Sequence, residues 1–327
     1  MRKPEYLSPS AIKTYDEDRE IFYIRYLSDN RSPREPQTQP MSIGSAFDAH
    51  VKSYLHEALF GKGNNPAFEF NAIFESQVES HNRDWARDHG AVCFERYRDS
   101  GALADLLLEL RSAIGTPHFE IEIKGMVQAN RHGVPFLGKP DVYYTNKEGL
   151  PVIYDWKVNG WCGKGNTSPK PGYLKLRHGS KDRSKDNGHH RDAHPMRKQG
   201  MLINAAHTLE AVNEEWAIQL AVYGWVCGME VGSEFIVGID QIACKNIGQK
   251  YPDIRIAEHR TTISSDYQWA SFGRAVRIWN AIQTGHVFTE MTKEENDARC
   301  AALDARSAVT AECANSTNTE DHLFNQM

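Results

Sequence analysis

The chain lacks the marks of several whole classes of protein. No apolar run approaches the ~20 residues needed to cross a bilayer. The opening Met1-Arg2-Lys3-Pro4-Glu5-Tyr6 has no apolar segment behind its charges. Neither a membrane span nor a secretory signal is therefore read, and the expected location is cytoplasmic. The six cysteines include no C-x-x-C pair, which speaks against a zinc ribbon or knuckle. They are read as reduced, mostly structural thiols. There is no Walker A glycine loop and no internal repeat. Basic residues are not in excess: the formal net charge is -5 and the isoelectric point is near 6.3. That argues against a basic nucleic-acid coat protein, but not against an enzyme whose positive charge is local.

What is present describes a globular chain. The 327 residues suggest about two domains. Although the mean hydropathy is -0.59, the chain has 7 Trp, 13 Tyr and 13 Phe to fill a core. Ser8 before Pro9 reads as an N-cap with proline in the first turn, and an aromatic-rich helical run follows to Leu27. Residues 28-41 read as a loop. Ile43, Phe47, Val51, Tyr54 and Leu55 recur at helical spacing over 42-60, and 70-113 is largely helical. The period then shortens. Phe119, Ile121, Ile123 and Val127 predict one strand, Val134–Tyr144 a second and Pro151–Val158 a third, with a turn at 145-149. A helix is predicted over 211-228, strands over 234-245 and 253-260, and a helix over 266-284.

The chemistry is concentrated in Gly138-Lys-Pro-Asp141 and Asp155-Trp-Lys157. If 145-151 closes an antiparallel hairpin, cross-strand partners add to about 296, and Asp141 faces Asp155. Side chains alternate along a strand, so Asp155 and Lys157 share one face. Val152, Tyr154, Trp156 and Val158 take the other, which can be core. Two carboxylates facing each other repel. A hard divalent cation, Mg²⁺ or Mn²⁺, would offset that cost and suit phosphodiester hydrolysis. Lys157 could orient the attacking water or stabilise developing negative charge. Glu120 and Glu122 are alternatives for a further carboxylate, and strand parity does not choose between them.

These residues resemble the PD-(D/E)xK nuclease superfamily, in its RecB-type or phage exonuclease-like branch. Pro140-Asp141 and Asp155-Trp156-Lys157 are similar to its core motif. Gln219-Leu-Ala-Val-Tyr223 is similar to its Q-x-x-x-Y helix, and Gly44-Ser-Ala-Phe-Asp-Ala-His50 to its histidine motif. Leu7-Ser-Pro-Ser10 with Phe22-Tyr-Ile-Arg-Tyr26 resembles its N-terminal helix. The resemblance spans about residues 7-245, with the elements in order. It implies an α/β fold: a restriction-endonuclease-like core whose central mixed sheet is flanked by helices, with a helical N-terminal region. The implied activity is metal-dependent DNA cleavage by an exonuclease of recombination, repair or phage DNA processing, in a bacterial or phage-infected host cytoplasm. A recombination or replication protein is a further expected partner. A sequence- or structure-specific endonuclease of the same fold, and a non-catalytic DNA-binding accessory protein, are the alternatives. The implied metal set is His50, Asp141, Asp155 and the Trp156 carbonyl. Lys157 is the catalytic lysine, and Gln219 and Tyr223 hold the substrate strand. Iron-sulfur members of the branch carry one cysteine near the N-terminal helix and three near the C-terminus. This chain has Asp16-Glu-Asp-Arg at the first place and only Cys300 and Cys313 near the end, so no iron-sulfur cluster is expected.

The expected organisation is a helical region over 1-115 carrying the histidine motif, a nuclease core over 116-290, and an acidic, partly disordered tail over 291-327. The core is interrupted at 158-200 by a Gly-, Ser-, Pro- and His-rich insert with a marked excess of Lys and Arg. Lys181, Arg183 and Lys185 in it are expected to contact DNA phosphates. His189, His190 and His194 read as part of a charged loop rather than a metal tract, and Cys162 has no defined histidine partner.

Overall fold

The computed structural model describes residues 1-31, 35-160, 196-199, 208-245, 247-248 and 252-324. Its organising feature is the hairpin predicted around residue 148. Strand β4 (Val142–Thr145) pairs antiparallel with β5 (Pro151–Gly160) through Val142↔Tyr154, Tyr143↔Ile153 and Tyr144↔Val152. Each pair adds to the expected 296. Asn146 closes the turn: its Oδ1 accepts from the N–H of Glu148 at 3.1 Å and of Leu150 at 2.8 Å. Gly149 supplies the positive φ of 84° that the reversal needs.

The fold is α/β. In the central mixed sheet β1 (Ile114–Phe119), β4, β5, β7 (Ile236–Lys245) and β8 (Asp253–Thr261) lie in that order. A short sixth strand, β6 (Met196–Gln199), pairs parallel with β8. The β5–β7 pairing is parallel, and β1–β4, β4–β5 and β7–β8 are antiparallel. Strands β2 (Ile123–Ala129) and β3 (His132–Gly138) form a separate hairpin.

Two sequence expectations therefore divide. The strand predicted through Phe119 and Val127 is β1 and β2, in different sheets. Glu120 separates them in a left-handed conformation with φ 53°. The apolar alternation runs on across that bend and conceals it. Likewise the strand predicted over Val134–Tyr144 is β3 and β4, parted at Lys139-Pro140-Asp141.

Helices cover both faces, so β5 is buried on both sides; Val152 through Trp156 are all buried. One face carries Ile153, Val237 and Ile239. It packs against α1 (Pro9–Glu17), α8 (Glu214–Val226) and α9 (Ser265–Thr284). The other carries Val152, Tyr154 and Trp156. It packs against α3 (Gln39–Phe60), α5 (Arg83–Asp99) and α6 (Ala102–Arg111). Helix α4 (Phe70–Gln77) lies against α3, and α7 (Leu209–Val212) precedes α8. As predicted, Ser8 caps α1, its Oγ accepting from the Ala11 N–H at 3.2 Å. The N-terminal helical run breaks at Asp18, which caps α2 (Arg19–Phe22) by accepting from the N–H of Glu20 and Ile21. A π-turn, Tyr23–Leu27, follows, and α10 (Lys293–Phe324) ends the described chain. No helix among the described residues is long and apolar enough to cross a membrane.

On the α5 side, a buried polar network anchors β5 and β7. Tyr97 donates to Asp240 Oδ2, and Arg260 donates to Asp240 Oδ1 at 3.1 Å and to the Tyr154 hydroxyl at 3.1 Å. The Trp156 indole N–H points to the Tyr97 oxygen at 3.3 Å.

Candidate active site

The site lies where the β4–β5 pairing stops. The Trp156 N–H lies beyond the last paired residue of β4. Asp141, one residue before that strand, takes it at 3.0 Å with Oδ2. The main chain of the D-x-K segment thus fixes the carboxylate opposite it. Asp155 and Lys157 share a face as predicted, and the Lys157 ammonium lies 2.5 Å from Asp155 Oδ2.

Helix α8 crosses this face. Asn213 caps it by accepting from the Trp216 N–H at 3.1 Å. Gln219 and Tyr223, one turn apart, both face the strand. Lys157 donates to Gln219 Oε1 at 2.7 Å, and Gln219 Nε2 donates to the Tyr223 hydroxyl at 2.9 Å. Asp155, Lys157, Gln219 and Tyr223 therefore form one continuous polar chain from two elements. Close packing sets the helix position. A Cβ on Gly138 would lie 2.6 Å from Val226 Cγ2 and 3.0 Å from Tyr223 Cδ1, so glycine is needed where β3 passes α8. A cleft of about 500 Å³ opens beside Gln219 and Tyr223, bordered by Lys13, Arg25, Tyr26 and Lys139.

The two aspartates differ electrostatically. Burial pushes Asp155 up to about 7; the nearby Asp141 charge adds to the rise and Lys157 opposes it. Burial also works against ionisation of Asp141, but the Lys52 ammonium and the Trp156 N–H outweigh it and hold Asp141 below the usual carboxylate range. Burial and the neighbouring Asp155 push the Tyr223 hydroxyl up, which keeps it a neutral donor.

A second group of charges was not foreseen. Asp48, Glu120 and Asp141 each place a carboxylate oxygen within 4.8 Å of the others. The Lys52 ammonium, with 0% of its side chain exposed, sits among them: 2.7 Å from Asp48, 2.9 Å from Asp141, and hydrogen-bonded to Glu120. Burial pushes Asp48 up to about 6. Of the two glutamates considered, Glu120 reaches the site, and its N–H also donates to the Asp141 carbonyl at 3.1 Å. Glu122 is exposed and paired with Lys124 at 2.9 Å.

His50 does not join the group. Its ring stacks between Phe70 (centroids 4.2 Å apart) and Phe94 (5.2 Å). Burial pushes its pKa down to about 4. The reason is helical phase. Asp48 and Lys52, four residues apart, share the face of α3 toward Asp141, while His50, two residues from each, points to the opposite side. The one sequence signal for the charged face is the i,i+4 Asp48–Lys52 pair in the middle of α3. Trp156 contributes its N–H to Asp141 and buries its indole. Lys181, Arg183 and Lys185 lie outside the described residues, as do His189, His190, His194 and Cys162. Of the insert, residues 158-160 continue β5 and Met196–Gln199 form β6.

A buried aspartate, a half-buried one beside it, a lysine on Asp155 and a helix-borne amide suit a hard divalent cation. Burial, with the Asp141 charge added, pushes Asp155 up despite Lys157, and a cation beside it would favour the ionised form.

No protein-family model matches the chain, and no curated protein matches it. Among solved structures, that of the protein SSO0001 aligns over 86% of this chain and 95% of that one. The identity is 12% and the TM-score 0.28, a likeness too loose to bear on fold or activity.

Proposed function

We propose that the protein is a Mg²⁺- or Mn²⁺-dependent deoxyribonuclease built on a restriction-endonuclease-like core, acting as an exonuclease in recombination, repair or phage DNA processing. The observation that carries the reading is the Asp155–Lys157–Gln219–Tyr223 chain beside Asp141. Three segments separated in sequence, the residue before β4, strand β5 and helix α8, bring these side chains together, and each side chain has a task in phosphodiester hydrolysis.

Asp141 and Asp155 would hold the cation. When bound, it supplies charge neutralisation at the phosphate and a more acidic water. Lys157 lies against Asp155, where its ammonium can orient a water or stabilise charge developing on the phosphate oxygens. Gln219 accepts from Lys157 and so fixes the direction of that ammonium. Tyr223, kept neutral, donates to a phosphate oxygen. The cleft bordered by Lys13, Arg25 and Lys139 gives a strand a route to Tyr223. Phosphate contacts from the insert would add affinity without reading bases. The preference for DNA ends rests on the motif resemblance.

The test is digestion of end-labelled linear DNA and closed circular DNA with Mg²⁺, with and without EDTA. Shortening of linear DNA from its ends, intact circles and full inhibition by EDTA are expected. Cleavage of circles would make the enzyme an endonuclease. Absence of EDTA-sensitive cleavage on both would overturn the nuclease reading.

A further inference from the structure

The proposed reaction assigns no task to Lys52, the most fully buried charged side chain at the site. Its side chain is 0% exposed, and an ammonium has three N–H donors. Three different carboxylates receive them: Asp48, Glu120 and Asp141. The complement is complete, with no donor left over and no water needed. The three acids come from separate parts of the chain. Asp48 lies on α3, Glu120 at the left-handed bend after β1, and Asp141 before β4. Removing the buried ammonium would leave three half-buried carboxylates within 4.8 Å of one another, with Lys139 on Glu120 left to offset part of their charge, which is unfavourable. The ammonium itself would need another buried set of acceptors.

We propose that Lys52 is a permanent internal cation, fixed where a divalent ion would otherwise bind between Asp48, Glu120 and Asp141. The site accordingly takes a single metal ion, on the side of Asp141 that faces Asp155. Lys52 is a positioning residue. It holds Asp141 Oδ1 while the Trp156 N–H holds Oδ2, so the carboxylate presents a fixed orientation to the ion. The inference rests on the metal-dependent reading for the Asp141–Asp155 ion, but not for the behaviour of the carboxylate group around Lys52.

The experiment counts Mn²⁺ ions bound to the full-length protein without DNA, by titration with electron paramagnetic resonance of free Mn²⁺. Thermal melts accompany it with and without Mn²⁺. Lys52→Met keeps the unbranched chain as far as the ε position and removes the ammonium and its charge. It should melt lower than wild type in EDTA, regain most of that loss in Mn²⁺, and bind one ion more than wild type. The added ion should vanish in Lys52→Met/Glu120→Gln. Asp48→Asn, with Lys52 retained, keeps the proposal falsifiable if Lys52→Met does not fold. It should bind as many ions as wild type. An ion lost from Asp48→Asn, or no added ion in a folded Lys52→Met, overturns the internal-cation role. A wild-type protein that binds no Mn²⁺, beside a Lys52→Met protein that gains one ion, would support Lys52 as the internal cation while removing the metal-dependent nuclease reading.

Discussion

Replacing Asp155 by Asn should abolish cleavage and, at alkaline pH without metal, stabilise the protein. The Asp155 carboxyl is buried at the foot of the polar chain, and burial pushes its pKa up to about 7. That position already includes the favourable pair with Lys157. In the unfolded chain an aspartate titrates near 3.9. Between those values the folded protein holds a proton that the unfolded chain has released. Stability therefore falls as pH rises through this window, and the cost is complete above pH 7. At ~1.4 kcal/mol per pKa unit, the penalty is about 2–4 kcal/mol at pH 8.5 and little at pH 4. An asparagine carries no such charge, and Lys157 keeps its hydrogen bond to Gln219. Urea melts in EDTA at pH 4.5, 7 and 8.5 read the difference. The stability gain of Asp155→Asn should grow with pH and shrink when Mg²⁺ is added, because the metal stabilises only wild type. A variant less stable than wild type at pH 8.5, or a difference independent of pH, would refute this account of Asp155.

Three further outcomes follow from other parts of the molecule. His50→Phe, which keeps an aromatic ring between Phe70 and Phe94, should leave Mn²⁺ binding and cleavage unchanged. It should also flatten the loss of stability between pH 6.5 and 4, by on the order of 1 kcal/mol for a half-buried ring. Wild type loses stability there because the unfolded imidazole takes up a proton that the folded one refuses until about pH 4; melts across that range check it. Asp240→Ala removes the shared acceptor of Tyr97 and Arg260 and should cost about 3 kcal/mol in a urea melt. Neutralising Lys181, Arg183 and Lys185 together should weaken DNA binding and reduce the salt slope by about two to three phosphate contacts, read by binding titrations at several salt concentrations.

Much of this architecture was legible in the sequence because it depends on short-range geometry. The hairpin register followed from one turn, and Asp155 and Lys157 fell on one face because strands alternate. Gln219 and Tyr223 fell on one helical face for the corresponding reason. The face of α3 was not legible. Ile43, Ala46, Phe47, Ala49, Val51 and Leu55 are all buried, so apolar periodicity could not select the side toward Asp141. The motif histidine, His50, lies between Asp48 and Lys52 in sequence but on the opposite side of α3, and spacing alone does not rank one side above the other. The bend at Glu120 was hidden for a related reason. Alternation in Phe119, Ile121 and Ile123 continues through it, and a positive φ at a glutamate leaves no mark in composition.

The central claim is that Asp141 and Asp155 are the metal-holding carboxylates of a nuclease. Single-turnover cleavage of end-labelled DNA by Asp141→Ala and by Asp155→Ala, with DNA affinity measured on the same preparations in Ca²⁺, tests it most directly. The account predicts loss of cleavage with DNA affinity largely retained, since affinity comes mainly from lysine and arginine contacts to phosphate. Near-normal cleavage by either pure variant would contradict it.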